Sequence, residues 1–295
     1  MKLSVIITTY NSPKWLEKVL WGFSNQSHSD FEIIIGDDGS NNDTRELIDR
    51  MRDETGMAIK HIWQEDKGFR KCRILNKSIL EVESDYVVFT DGDCIPRSDF
   101  LAVHEREAEP GFYLSGGYHK LPMSTSEIIS KEDILSGRCF DLKWLKQNGL
   151  KSSLKNSKLT ATPTTAKILN RLTPTACNFK GSNGSVWLKD IIAVNGFDER
   201  MPWGGLDREF GVRLINSGVK PKHVRYNAIV IHLDHKRGYK DPEIMLENKQ
   251  LRIENRRNKV VKTDFGIAQL PEYKLKVCLL YTSDAADDNR VVVGW

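Results

Sequence analysis

Short apolar runs alternate with amphipathic stretches along the first hundred residues. Leu3–Thr9 is a buried-strand pattern that Tyr10-Asn11-Ser12-Pro13 breaks, and Pro13 suits a first helical turn with Ser12 as its N-cap. Trp15, Leu16, Val19, Leu20 and Phe23 recur on one face of the helix that follows. Phe31–Gly36 predicts a second strand, Asn42–Met51 a polar helix, Ala58–Trp63 a third strand, and Gly68–Leu80 a basic helix with Ile74, Leu75, Ile79 and Leu80 turned inward. Tyr86-Val87-Val88-Phe89 is a fourth strand, Phe100–Glu109 a surface helix, and Phe112–Tyr118 one further strand. Later come a helix starting at Leu188 and ending near Asn195-Gly196, another from Leu206, a strand over Ala228–Ile231 and a charged helix over Asp241–Lys259. Strands alternating with helices imply right-handed crossovers, so the fold class is α/β with a mostly parallel, Rossmann-like sheet.

In such a sheet the carboxyl ends of the strands share one edge, where ligands bind. That edge would gather Thr8-Thr9-Tyr10-Asn11, Asp37-Asp38 and Asp91-Gly92-Asp93. Gly92 lets the backbone turn so that both flanking carboxylates face one point. Asp91-Gly92-Asp93 is then either a polar turn or a site for a hard cation, Mg²⁺ or Mn²⁺. His232, directly after the last strand and on the same edge, suits a nitrogen ligand beside Asp93, with His235 the alternative.

Charge narrows the picture only a little. With 44 basic and 40 acidic residues among 295, the net charge of +4 gives no reason to expect nucleic acid as a partner. No apolar run approaches the ~18 residues of a spanning helix, and the short N-terminal run lacks a cleavage site. The five cysteines are scattered without a C-x-x-C pair, which argues against a zinc site or a disulfide framework and suits a cytoplasmic protein. Neither G-x-G-x-x-G nor a Walker loop follows the first strand, which disfavours an ordinary dinucleotide or P-loop site.

Four motifs in order carry a resemblance: T-T-Y-N after strand one, D-D-G-S after strand two, G-F-R-K-C-R-I-L-N before strand four and D-G-D after it. Over residues 1 to about 100 this resembles the family 2 glycosyltransferases with a GT-A fold. The resemblance implies that Thr8 and Tyr10 hold a nucleotide base, Tyr10 by stacking, with Asn11 beside them in the donor site. It further implies that Asp38 accepts a base N–H, which favours uracil, while Asp37 serves mainly to hold the loop. Arg73 or Arg70 would lie near a diphosphate, Asp91 would contact the donor and Asp93 would ligate the metal.

A second constellation reads C-N-F-K-G-S-N-G over Cys177–Gly184, then G-F-D-E-R-M-P-W-G-G-L-D-R-E-F. It resembles the C-terminal acceptor segment of family 2 enzymes and galactosyltransferases. Asp207 stands where that family places its catalytic base. The family often has Glu-Asp here, whereas this chain has Leu206-Asp207. Gly181, Ser182 and Asn183 would lie under the donor sugar, Trp203 would stack on a sugar face, and Gly204-Gly205 would flank it. Lys236, Arg237 and Tyr239 would close over the diphosphate.

The implied organisation is a donor half (1–118), a basic Ser/Thr-rich insertion (119–175) and an acceptor half (176–270). From Leu142 to Lys189 there are nine Lys or Arg and no Asp or Glu. Trp144, Leu145 and Leu150 within it suggest either an amphipathic face resting on an anionic membrane, at the inner face of which the protein would be peripheral, or a mobile basic insertion. The stretch 278–295 does not read like the rest: C-L-L-Y-T-S-D-A-A-D-D resembles translated adapter sequence, and we expect no function of it. The expected activity is metal-dependent, inverting transfer of a sugar from a nucleotide diphosphate, preferably UDP, to a carbohydrate or lipid-linked oligosaccharide acceptor. The competing readings are a nucleotide-sugar pyrophosphorylase, whose Gly-rich basic signature is absent after strand one, and a non-catalytic nucleotide- or carbohydrate-binding module.

Overall fold

The computed structural model describes residues 1–235 and 241–273. Its first half follows the hydrophobic pattern closely: β1 (Leu3–Thr9), α1 (Pro13–Ser24), β2 (Phe31–Asp37), α2 (Asn42–Thr55), β3 (Ile59–Trp63), α3 (Lys71–Leu80) and β4 (Tyr86–Asp91). β5 (Cys94–Pro96), α4 (Phe100–Glu107), β6 (Phe112–Ser115) and β7 (Gly117–Lys120) come next. The insertion is helical in five short pieces, α5 (Met123–Ile128), α6 (Lys131–Leu135), α7 (Leu142–Gln147), α8 (Ser157–Thr160) and α9 (Pro163–Leu172). β8 (Gly184–Trp187), α10 (Leu188–Ala193), α11 (Leu206–Asn216), β9 (Lys220–His223), β10 (Ile229–His232) and α12 (Pro242–Arg257) follow, and single 3-10 turns lie at Arg138–Phe140, Leu154–Asn156 and Ile267–Gln269.

Seven strands form one sheet in the order β3-β2-β1-β4-β8-β6-β9, and β5-β10-β7 form a second. β3, β2, β1 and β4 run parallel, which places Thr8 level with Asp91 and Thr9 level with Asp37. β8 is antiparallel to both β4 and β6. Side chains alternate across the large sheet. Val5, Ile7, Ile33, Ile35 and Val88 pack on α1 and α2, whereas Ile6, Ile34, Val87 and Phe89 face α3 and α11. On that second side Phe89 meets Phe179, Phe197 and Phe210 with ring centroids 5.6–6.5 Å apart. One aromatic cluster therefore ties residues of the first hundred positions to residues beyond 176.

Three features depart from the pattern. Phe112–Tyr118 is not one strand: it breaks at Gly116, and its two parts join different sheets. A Cβ on Gly116 would sit 1.9 Å from Asn183 Oδ1, and one on Gly117 would sit 2.5 Å from the Arg225 carbonyl, so the crossover needs both glycines. β8 was hidden because Gly184-Ser185-Val186-Trp187 carries too few apolar residues to signal a strand, and its order comes from pairing on both sides. Lys220-Pro221-Lys222-His223 is likewise a strand only as the outer edge of the sheet, where proline is tolerated.

The insertion's apolar residues also correct an expectation. Leu145 is fully buried, and Trp144 and Leu150 pack against the core on the α1 side, so they form no outward face. The apolar side chains that do point outward include Ile128, Leu135, Leu154 (95% exposed), Ile168 and Leu172 (72%).

α11 is anchored by an ion pair that is fully buried on both sides. Arg213 Nε and Nη2 donate to Glu209 at 2.7 and 2.9 Å, Arg213 Nη1 donates to the Val194 carbonyl, and Asn255 Nδ2 donates to Glu209 Oε1 at 2.8 Å. Glu209→Ala would strand a guanidinium without its counter-ion, so urea unfolding should show a loss of roughly 3–5 kcal/mol. A loss under about 1 kcal/mol would mean the pair is dispensable.

Candidate active site

The carboxyl ends of β1, β2 and β4 open into a cavity of about 750 Å³ whose far wall is built by residues 181–182 and 203–207. On the β1–β2 side Thr8, Tyr10, Asn11 and Asp38 all line it. Asp37 is fully buried and holds the turn, accepting from Ser40 N at 2.8 Å and lying 3.0 Å from His61 Nε2. Asp38 accepts from Gln64 Nε2 (2.6 Å) and from the Arg70 amide (2.8 Å). Burial raises its pKa despite those bonds. Each carboxylate oxygen has a second lone pair, so one side of Asp38 can still accept a ligand N–H. Tyr10, 51% exposed at the mouth, donates its hydroxyl to Asp66 Oδ2 at 2.8 Å, which fixes the ring plane. Asn11 sits at φ +43°, and its side chain accepts from the Asn41 amide.

At the end of β4, Asp91 accepts from Thr8 Oγ1 (3.1 Å) and Lys71 Nζ (2.5 Å). Burial opposes the Lys71 charge, but Asp91, with Asp93 and Asp207 behind it, outweighs burial and leaves the ammonium's pKa raised. Asp93 Oδ2 lies 3.6 Å from His232 Nε2 and 3.0 Å from His235 Nε2. His232 lies inside β10 as its last residue, and its Nδ1 points at the Leu233 carbonyl at 2.7 Å. That bond places a proton on Nδ1 and turns Nε2 toward Asp93. The two imidazoles stack with centroids 5.7 Å apart at 14°. Burial pushes the Asp93 carboxyl up, but the His235 hydrogen bond and the nearby His232 outweigh it, so Asp93 sits below the usual carboxylate range.

The donor set suits a divalent cation that takes oxygen and nitrogen. Ligand atoms of Asp93, Cys94 and His232 fall within 4.8 Å of one another. Cys94 is fully buried, donates its thiol to Asp93 Oδ1 at 3.3 Å and is pushed well above the ordinary thiol range by burial, and soft sulfur is a poor match for Mg²⁺ or Mn²⁺. What remains is a carboxylate and an imidazole, with the other positions open to water or a phosphate, as Mg²⁺ or Mn²⁺ prefers.

Across the cavity, Gly204 and Gly205 take φ of +100° and +86°, values that favour glycine, and so deliver Asp207 at the start of α11. α12 secures this turn: Asn248 Nδ2 donates to the Trp203 and Gly204 carbonyls at 2.9 and 3.0 Å. Asp207 accepts from the Arg208 amide at 2.9 Å and the Gly181 amide at 3.4 Å. Burial raises its pKa, partly offset by those amides and by Lys71. Gly181, Ser182 and Trp203 line the same wall.

Three of the residues expected in the site do not line the cavity. Asn183 is fully buried beneath it, where Nδ2 donates to the Gly117 and Ala228 carbonyls and Oδ1 meets His104 Nε2, so it braces the crossover between sheets. Arg73 pairs with Glu199 at 3.0 Å. Its helix neighbour Asn76 hydrogen-bonds both the amide and the carbonyl of Phe197. The motif's Arg73 and Asn76 thus clamp α3 onto the G-F-D-E turn. The Arg70 guanidinium turns to the Glu65 carbonyl, and only its amide serves the site, through Asp38. Conversely, Lys71, Asp66, Trp15 and Tyr118 line the cavity without having been singled out. Lys71 was legible in principle, being a basic residue one turn from the D-G-D edge in space, but only the α3–β4 packing reveals it. Lys236, Arg237, Tyr239 and the stretch 278–295 lie outside the described residues.

Residues 4–151 match the family described as Glycosyl transferase family 2. The chain is 28% identical over 230 residues to chondroitin synthase from Escherichia coli, covering 73% of this chain and 32% of that protein. It therefore spans about a third of that relative's length. Among solved structures, Staphylococcus aureus TarS 1–349 in complex with UDP-GlcNAc superposes with a TM-score of 0.59 at 16% identity, covering 91% of this chain and 69% of that one. Mannosyltransferase PcManGT from Pyrobaculum calidifontis, in complex with GDP-Man and Mn²⁺, gives 0.54 at 17% identity, covering 96% and 79%. At these identities the two structures speak to the fold, which is that of the GT-A glycosyltransferases.

Proposed function

The chain belongs to glycosyl transferase family 2, and from that premise we propose that it transfers a sugar, with inversion, from a nucleotide diphosphate donor to an acceptor hydroxyl in polysaccharide or glycolipid synthesis. The observation that carries the reading is a shared cavity: Asp207 opens into the same 750 Å³ space as Asp91, Asp93, Asp38 and Tyr10. A binding module has no use for a half-buried carboxylate placed opposite the Asp91-Gly92-Asp93 edge.

In this reading the donor's base stacks on the Tyr10 ring while Asp38 accepts its N–H. A UDP donor suits that pairing, and UDP-GlcNAc is the ligand bound by TarS, one of the structural neighbours. Asp91, oriented by Thr8 and Lys71, faces the donor's sugar. Asp93 with His232 would hold Mn²⁺ or Mg²⁺, and a divalent ion there would neutralise charge on the departing diphosphate. Asp207 takes the proton from the acceptor hydroxyl as that oxygen attacks the anomeric carbon. The bond to the diphosphate breaks on the opposite face, and a single displacement inverts the centre. Trp203 offers an apolar face for an acceptor ring, and the pinned Gly204-Gly205 turn holds Asp207 in line.

Calorimetric titration of UDP with and without Mn²⁺, followed by a screen of UDP-sugar hydrolysis, tests this. Metal-dependent UDP binding together with slow hydrolysis of at least one UDP-sugar is expected. Binding without any turnover would favour the module, and formation of a nucleotide sugar from sugar phosphate and UTP would favour a pyrophosphorylase.

Peripheral contact with an anionic membrane belongs to the same proposal. Its support is α9, where exposed Ile168 and Leu172 stand beside Lys167 and Arg171, with Leu154 nearby in sequence. The chain should co-sediment with phosphatidylglycerol vesicles at low salt, and Ile168→Asp with Leu172→Asp should abolish it. Absence of wild-type binding would refute the contact.

A further inference from the structure

A second cavity, of about 240 Å³, lies under the insertion and is lined by His119, Lys120, Pro122, Leu150, Lys151 and Asn156 among others, with Lys155 at its rim. β7 separates it from the larger cavity: Tyr118 lines the first and His119, its neighbour, lines the second. Among the described residues three lysines and no carboxylate line it, so a cation is disfavoured and an anion is attracted. Lys120 also pairs with Asp234 at 2.8 Å, whereas Lys151 and Lys155 stand on the exposed stretch that contains no acid.

Two polar atoms there are left over. His119 and Asn156 are each only 5% exposed; the His119 ring meets the Lys155 backbone, but among the described residues His119 Nε2 and Asn156 Oδ1 make no hydrogen bond. A buried polar group without a partner has lost its bonds to water and gained none in return, so both atoms call for a partner. Asn156 Nδ2 already donates to the Lys151 carbonyl at 3.2 Å, which leaves Oδ1 as an acceptor in need of a donor. Chloride or sulfate offers no such donor, and hydrogen phosphate offers only a P–OH on the charged group itself, which cannot also reach a second polar atom from a distance. A hydroxyl supplies such a donor, and it can either donate to or accept from Nε2 whichever tautomer His119 holds. Burial, with Lys158 second, holds the His119 pKa below its ordinary value, so the ring is neutral and suited to a hydroxyl.

We propose that this cavity binds an anionic sugar unit, a uronate or a sugar phosphate, with its charge on Lys151 and Lys155 and its hydroxyls on His119 and Asn156. The volume lies below the ~300 Å³ at which pockets for drug-sized ligands begin, which fits one such unit. One residue of β7 separates it from the catalytic cavity, so it offers a second foothold for a charged glycan. Binding here requires neither donor nor metal and stands apart from the transfer reaction.

The test is calorimetric titration of the full chain at low salt with glucuronate, glucose 6-phosphate, glucose and inorganic phosphate. Glucuronate or glucose 6-phosphate should bind at least about tenfold more tightly than either glucose or phosphate. Lys151→Gln with Lys155→Gln, both on exposed positions, should weaken that binding about tenfold or more, as loss of charge-assisted bonds does. Asn156→Ala should weaken the sugar anions while leaving phosphate unchanged. Equal affinity for phosphate and glucose 6-phosphate, unaltered binding in the double lysine variant, or no binding of either sugar anion would overturn the assignment. So would phosphatidylglycerol vesicles that sediment the chain through Lys151 and Lys155 while the free sugars leave it untouched, since that outcome assigns the lysines to a membrane.

Discussion

Asp207→Asn is expected to lower turnover by roughly 10²–10⁴-fold while leaving the Kd for UDP within about twofold. The amide keeps the shape of the side chain and its place at the start of α11, but it cannot take a proton. Asp207 accepts from the Arg208 and Gly181 amides and from none of Thr8, Tyr10, Asp38 or Asp91, so affinity for UDP, which carries no transferable sugar to rest on Gly181, has no reason to move. Two further readouts separate this role from a structural one. Because burial raises the Asp207 pKa, the acid limb of the wild-type rate profile should lie above the pH where an ordinary carboxylate titrates. The sign for stability is opposite to that of a salt-bridged acid. A raised folded pKa means the ionised form is disfavoured by folding, so stability present below the unfolded pKa is lost as pH rises through the folded one. Asn carries no such penalty, and Asp207→Asn should unfold at the same temperature as wild type or higher at neutral pH. Turnover within threefold of wild type would remove Asp207 from the role of base.

The donor edge was legible because its chemistry follows directly from strands. Once β1, β2 and β4 are parallel and in register, Thr8, Asp38 and Asp91 must meet at one edge, and short polar runs after apolar ones mark that edge. Asp207 was legible only through resemblance, since a lone acid in a first helical turn reads equally well as a dipole partner. What misled was proximity in sequence. Asn183 stands beside Gly181 and Ser182 yet points into the core, because β8 begins one residue later and alternation turns successive side chains to opposite faces. Arg73 shares a motif with the site but faces Glu199 across the molecule. The pairing that makes β8 and β9 strands involves partners about 70 to 110 residues away, which no local window contains. Lys71 and Tyr118 enter the cavity only through such long-range placement.

Asp93→Asn should abolish metal-linked UDP binding, the second of the two largest effects. In the wild type, Mn²⁺ should tighten UDP by at least about tenfold and raise the melting temperature in proportion to ligand occupancy. In Asp93→Asn both responses should vanish, and turnover should fall by about 10²-fold or more, since the amide oxygen is a far weaker ligand than a carboxylate. The histidines divide the prediction. His232 Nδ1 is committed to the Leu233 carbonyl, which turns Nε2 toward Asp93, and β10 pairs it in register with Cys94. His232→Ala should therefore reproduce the Asp93→Asn loss, whereas His235→Ala, beyond the strand end, should retain the Mn²⁺ effect on UDP. The reverse pattern would move the ligand to His235. Paired with Asp207→Asn, these variants separate two functions in one cavity: one loses turnover with the metal-linked affinity intact, and the other loses the affinity itself. A single variant that lost both equally through unfolding would show as a lowered melting temperature without metal, which is the control that makes the contrast interpretable.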